Sequence, residues 1–241
     1  MTSEIELYKI GPGTGKEVGS ALIINIKETR VGSELDVTNL EKLLEYLNIK
    51  VKVKTDLTEK DLKSEIKEFA SELDQDKTEI CIICIMSHGD RESIQAVDRG
   101  KVNIETDILD QFSNGACPTM IGKPKVFLFQ ACRGNAEDPG MLAETDSLIE
   151  ATVLNDAIIA FPSVPNFVAY RTSNYGSLFI KTVCDVFGEH AKTLEILDLF
   201  KIVQSRLKTC TVNRGKKITT EVTFRMEKHL YFHPKCEDIP N

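Results

Sequence analysis

The chain has 241 residues, 41% hydrophobic and 28% charged, with 37 acidic against 30 basic side chains and a net charge of -7. A chain of this length buries a sizeable core without disulfides or metals, and an acidic balance with no basic stripe excludes diffuse nucleic-acid binding. The longest apolar runs, residues 21–26 and Ile80–Met86, fall far short of the roughly 20 residues that span a bilayer, and the polar, acidic opening is no secretory signal, so a cytoplasmic protein is expected.

The first feature along the chain is a decoy. Gly11-Pro12-Gly13-Thr14-Gly15-Lys16 resembles a phosphate loop, but Ile10 stands where the first Gly of Gly-x4-Gly-Lys belongs. Glu17 replaces the required Ser or Thr, and the segment precedes the first strand instead of following one, so it reads as an N-terminal turn. Residues 21–26 then form an apolar run of the kind a doubly covered parallel strand shows. Leu35, Leu40, Leu43, Leu44 and Leu47 recur at helical spacing, and residues 50–54 alternate like a strand with Val51 and Val53 on one face. A second helix starts at residues 57–61 and carries Leu62, Ile66 and Phe69 on its stripe. The buried strand Ile80–Met86 follows, then a polar loop, a helix near residues 106–112, and a strand at residues 126–129. Residues 134–155 lack a clear period, contain Pro139-Gly140, and read as a functional loop or linker. Beyond them come strands at Ala157–Phe161 and residues 167–170, helices around residues 177–187 and 194–207, and strand-like segments at 219–224 and 229–232. Strands alternating with helices predict an α/β fold with a mostly parallel sheet.

Seven scattered cysteines are an odd number without a framework, so free thiols are expected. Cys81 and Cys84 have the spacing of a metal or redox pair, yet three residues apart in a strand they face opposite sides. They read as core. The chemically active residues lie at strand ends, where open parallel sheets bind ligands. The strand Ile80–Met86 runs into Ser87-His88-Gly89-Asp90, and residues 126–129 run into Gln130-Ala131-Cys132-Arg133-Gly134. One strand–helix–strand excursion brings such a His and Cys to the same edge, where the His can hold the Cys as thiolate and later protonate a leaving amine.

Gln130-Ala131-Cys132-Arg133-Gly134 is the local signature of caspases, which carry their His about 50 residues upstream. The chain resembles that family from about Tyr8 to His233. The matching pieces are Thr29-Arg30-Val31-Gly32-Ser33-Glu34-Leu35-Asp36, Ser87-His88-Gly89-Asp90, Gly122-Lys123-Pro124-Lys125, the Cys132 signature, Glu144-Thr145-Asp146-Ser147, Tyr170-Arg171, Gly176-Ser177 and Leu230-Tyr231-Phe232, in the family's order. The resemblance implies a caspase-like three-layer α/β sandwich, with a mostly parallel six-stranded central sheet flanked by helices. It further implies a short N-terminal extension (1–20), a large subunit (21–146), an intersubunit linker (147–155) and a small subunit (156–241).

By the same resemblance Cys132 is the nucleophile and His88 the general acid/base. The Gly89 and Cys132 N–H groups form the oxyanion hole, and the Glu28 carbonyl orients His88. Caspases cut after Asp, and the pocket that reads this Asp maps to Arg30, Gln130 and Arg171. Two guanidiniums suit one carboxylate, because both stay charged and donate paired planar hydrogen bonds. Tyr170 keeps the aromatic floor of the second subsite. Val168, Thr172 and Leu178 depart from the executioner pattern at substrate-binding positions, which predicts weaker selection of an acidic residue four positions before the cut. Activation is expected by cleavage after Asp146; Asp138 is disfavoured by Pro139 and Asp156 by its neighbouring strand. The implied activity is that of a thiol endopeptidase acting in apoptosis, made as a zymogen and working without cofactor or metal. The implied partners are protein substrates with Asp at the cut, a second copy of the large/small subunit pair in a homodimer, an upstream initiator caspase and inhibitor-of-apoptosis proteins. A weakly active decoy or dimerisation partner of another caspase is the alternative.

Overall fold

The computed structural model describes residues 6–11, 17–131, 154–162, 171–172, 176–209 and 220–233. Its strands are β1 (Gly19–Asn25), β2 (Ile49–Thr55), β3 (Ile80–Met86), β4 (Ser93–Gln95), β5 (Lys101–Asn103), β6 (Lys125–Gln130), β7 (Ala157–Phe161), β8 (Arg171–Thr172), β9 (Gly176–Ser177) and β10 (Glu221–Arg225). Its α-helices are α1 (Ser33–Tyr46), α2 (Glu59–Glu72), α3 (Leu178–His190) and α4 (Ile196–Thr209). Six strands form one sheet in the order β10-β7-β6-β3-β1-β2, parallel throughout except for β10, which runs antiparallel to β7.

The inner strands are apolar at nearly every position because both faces of the sheet are covered. One face of the pleat carries Ala21, Ile23, Ile82, Cys84, Val126, Leu128, Ile158 and Ala160 against Leu40 and Leu44 of α1, Ile180 and Val183 of α3, and Leu199 and Phe200 of α4. The other carries Leu22, Ile24, Cys81, Ile83, Ile85, Phe127, Phe129 and Ile159 against Leu62, Ile66 and Phe69 of α2 and Ile108, Leu109 and Phe112. The period of two therefore sends Cys81 and Cys84 into different layers, where no metal can join them. This is the three-layer α/β sandwich expected from the sequence.

The structure departs from the sequence reading in five places, the first being the β4–β5 hairpin in the segment expected as a polar loop. The helix expected near residues 106–112 is a π-helical turn over Ile104–Ile108 followed by a 3-10 turn over Leu109–Phe112. The widened turn lets the adjacent Ile108 and Leu109 both enter the core. Leu35, placed on the apolar stripe of α1, is 40% exposed on the first turn of that helix. Leu154, expected in the linker, is only 3% exposed and packs with Phe127, Phe129 and Phe161. Residues 229–232 make isolated bridges, His229 to Leu7 and Tyr231 to Glu195, instead of a strand. The phosphate-loop decoy at 12–16, the strand expected at 167–170 and most of the linker lie outside the described residues.

Candidate active site

The register of the sheet sets the site. Asn25 of β1 is paired with Met86 of β3, and Met86 with Gln130 of β6, so three neighbouring strands reach their carboxyl ends at one level. Ile26 N donates to Met86 O at 2.9 Å and Ser87 N donates to Gln130 O at 3.2 Å, carrying the pairing one residue further. His88 stands two residues past Met86, and Cys132 stands two residues past Gln130 in sequence. Strands of one sheet are about 4.8 Å apart, within reach of two side chains that converge. Cys132 itself lies outside the described residues; Gln130 and Ala131, which lead to it, are described and buried.

His88 is half-buried, and its Nε2 lies 3.1 Å from the Glu28 carbonyl oxygen and 2.8 Å from Thr29 Oγ1. A carbonyl only accepts, so Nε2 carries the hydrogen and the lone pair of the neutral ring is on Nδ1. The contact expected from Glu28 is present. The His88 loop is braced by β4. Gln95 N donates to His88 O and Asp90 N to Ser93 O, both at 2.9 Å. These bonds flank the facing pair Gly89 and Ile94, so the Gly89 N–H takes no part in them and finds no other acceptor among the described residues. Asp90 closes the loop. Burial opposes its charge, but Lys101 and donors from Glu92 and Ser93 hold its carboxyl down at about 2.

Of the expected pocket residues, Arg30 and Gln130 are described with their side chains. Arg30 is 4% exposed, and its Nη1 donates to Asn25 Oδ1 at 2.8 Å and to Ile26 O at 3.0 Å. Gln130 is 2% exposed, with its Oε1 in no hydrogen bond among the described residues. Arg171 and Thr172 are described by their backbone alone, as β8, where Arg171 pairs with Ser177 and Thr172 with Gly176. Tyr170 and Asp146 lie outside the described residues.

One residue was not singled out by the sequence reading, although it closes the quoted motif at residues 29–36. Asp36 is fully buried on the first turn of α1, and its Oδ1 accepts from Ser177 N at 2.7 Å. Gly176 has φ +73°, and a Cβ there would clash with the same oxygen. Ser177 caps α3 by accepting from Ile180 N at 3.3 Å. The buried carboxylate thus ties the segment that follows Arg30 to the hairpin that contains Arg171. A carboxylate in the first turn of a helix is ordinarily read as a dipole partner, and only the fold reveals its second contact.

Three of the four described thiols, Cys81, Cys84 and Cys184, offer no rival nucleophile. Burial pushes the Cys81 thiol up to about 12 and raises those of Cys84 and Cys184 above their ordinary range as well. None is a thiolate at neutral pH. Among the described residues, no helix is long and apolar enough to cross a membrane.

A family model described as a caspase domain matches residues 18–231. Caspase-3 from Bos taurus is 30% identical over 254 residues, a match covering 96% of this chain and 90% of that protein. Caspase-7 from Gallus gallus is 31% identical, with 90% and 78% covered, and caspase-14 from Homo sapiens is 28% identical, with 88% and 91% covered. The crystal structure of caspase-1 from Spodoptera frugiperda superposes with a TM-score of 0.82 at 24% identity, covering 98% of this chain and 97% of that one, which establishes the fold. With a matching family model over most of its length and the same sandwich, the chain belongs to the caspase family of cysteine peptidases.

Proposed function

We propose that this protein is an endopeptidase that cuts proteins after Asp, with Cys132 as nucleophile and His88 as general acid/base. The observation that carries the reading is the anchored His88. Its Nε2 is held by the Glu28 carbonyl at 3.1 Å, which leaves Nδ1 to exchange protons, beside a Gly89 N–H with no acceptor among the described residues. In the first half-reaction the Cys132 thiol gives its proton to His88 Nδ1 and the sulfur attacks the scissile carbonyl carbon. The negative oxygen of the adduct is met by the N–H groups of Gly89 and Cys132. Collapse breaks the C–N bond, and Nδ1–H protonates the departing amine. Water then attacks the thioester, its proton passing to Nδ1, and the acid product leaves as the thiol reforms.

Specificity for Asp rests on Arg30, Gln130 and Arg171. A buried cationic pocket leaves its charges unmatched by a neutral residue, and such sites discriminate by about 10⁴–10⁵. Tyr170 and Thr172 complete the substrate groove. Cleavage after Asp146 separates the large subunit (21–146) from the small one (156–241), which keeps the linker residues 147–155. The alternative site at Asp156 is closed off, because that residue is buried and its carboxylate accepts from Tyr8 Oη at 2.7 Å. The active form is a homodimer through β10, an outer strand of the sheet. Its implied role is in apoptosis, downstream of an initiator caspase and under inhibitor-of-apoptosis proteins.

The test is hydrolysis of a fluorogenic peptide library with Asp at the cut and variation four residues before it, by protein cut at Asp146 beside Cys132→Ala and Arg171→Ala. Asp-dependent turnover lost in both variants supports the reading. A folded, processed, dimeric wild type that turns over no peptide replaces it with the decoy.

A further inference from the structure

Thr29 stands in a conformation that its residue type resists. Its φ is 54°, and for a β-branched side chain the left-handed region is a genuine outlier. The cause is the turn it occupies. Arg30 N donates to Lys27 O at 2.7 Å, which closes a four-residue turn with Glu28 and Thr29 at its centre. Positive φ at the third position and not at the second is the type II pattern, whose third position is ordinarily Gly or Asn. A turn selected for folding alone would use one of those residues.

The neighbourhood over-determines the turn. Lys27 N donates to Asp56 Oδ1 at 2.7 Å, Arg99 Nη2 reaches Glu28 Oε1 at 3.4 Å, and the Arg30 guanidinium is fixed on Asn25 and Ile26 O. Held strain of this kind collects at functional sites. Here that site is the contact with His88. A type II turn flips its central peptide relative to type I, and the carbonyl of that peptide is Glu28 O, 3.1 Å from His88 Nε2. The Thr29 hydroxyl lies 2.8 Å from the same nitrogen.

We infer that Thr29 is a positioning residue for His88: its strained backbone aims the Glu28 carbonyl at Nε2, and its hydroxyl oxygen shares the Nε2 hydrogen with that carbonyl. The two acceptors fix the plane of the imidazole, so that Nδ1 faces the nucleophile instead of rotating away. This inference rests on the reading of His88 as the general acid/base. A glycine would supply the turn without the hydroxyl, and a valine would supply the bulk without it.

The experiment compares wild type with Thr29→Val, Thr29→Ser and Thr29→Gly, all processed at Asp146. It measures kcat and KM on an Asp peptide, melting temperature, and the His88 Nε2–H signal in ¹⁵N-histidine-labelled protein, assigned with His88→Gln. Loss of one such hydrogen bond at the acid/base predicts about a tenfold fall in kcat with little change in KM for Thr29→Val and Thr29→Gly. Thr29→Ser stays near wild type. Thr29→Gly melts higher than wild type while remaining slow, which separates strain from catalysis. The Nε2–H signal persists in wild type and Thr29→Ser, and exchanges rapidly in Thr29→Val. Wild-type kcat in Thr29→Val, or Thr29→Ser as slow as Thr29→Val, overturns the inference alone. A folded wild type without turnover overturns the protease reading, and the role of Thr29 falls with it.

Discussion

A thiol attacks only as thiolate, so the proton affinity of each cysteine decides which one reacts. Burial holds Cys81 near 12 and raises Cys84 and Cys184 above their ordinary range, so at pH 7 these three stay protonated inside the sandwich. Iodoacetamide at neutral pH is therefore expected to spare them in the folded protein while modifying Cys132, with His88→Ala slowing that modification. Peptide mapping by mass spectrometry checks this, and fast labelling of Cys84 in a folded sample would remove its basis. At the same scale, Arg30→Lys keeps a positive charge but loses the planar fork. It is expected to lower kcat/KM on Asp peptides by about 10²-fold, mostly through KM. His88, Cys132 and Arg30 stand out as candidates in the sequence because their types are chemically distinctive and their motifs local, and the structure describes His88 and Arg30. Thr29 and Asp36 lay inside a quoted motif without roles, since φ and a contact across 141 positions are properties of the fold.

Between residues and the whole molecule, two small elements hold the site. The β8–β9 hairpin is docked on α1 through Asp36, and Gly176 has neither the φ nor the space for a side chain. Gly176→Ala forces both a left-handed alanine and a clash with Asp36 Oδ1, at a cost of ~1–3 kcal/mol. The expected outcome is a lower melting temperature together with a raised KM for Asp peptides, because the hairpin carries Arg171; a melting shift with wild-type KM would separate hairpin from pocket. The β4–β5 hairpin depends on Asp90. That carboxyl is lowered from 3.8 to about 2, so its stabilising effect is complete above the unfolded value near 3.9 and is lost as pH falls through about 2. Asp90→Asn is thus expected to flatten the loss of stability in that acid window, measured by denaturant melts. The main strands were readable because doubly buried strands are apolar throughout. The turn at Ile104–Phe112 was not, because its apolar spacing suits an α-helix equally well and packing decided between them.

At the scale of the whole molecule, β10 is an outer strand of the sheet, and a strand edge is a template for another chain. Val222 packs on the layer of α3 and α4, and the Phe224 ring lies 6.2 Å from that of Phe200, so the alternation puts Glu221, Thr223 and Arg225 on the opposite face. An antiparallel pairing of two copies about a two-fold axis at Thr223, the middle of the strand, sets Glu221 of each against Arg225 of the other. The pattern is self-complementary, and cross-strand pairs reward opposite charges and penalise like ones by about 0.2–1 kcal/mol each. Glu221→Arg gives a face with cations at both positions, and Arg225→Glu gives anions at both. Each variant alone is expected to dimerise about 10-fold more weakly or worse than wild type, since two attractive pairs become repulsive at once. An equimolar mixture of the two restores favourable pairs in the heterodimer, and the double variant Glu221→Arg/Arg225→Glu restores them in the homodimer. Sedimentation velocity over a dilution series reads all four cases. Recovery in the mixture and in the double variant requires an antiparallel two-fold contact along β10. Singles that dimerise like wild type, or a mixture that fails to recover, place the partner on another surface.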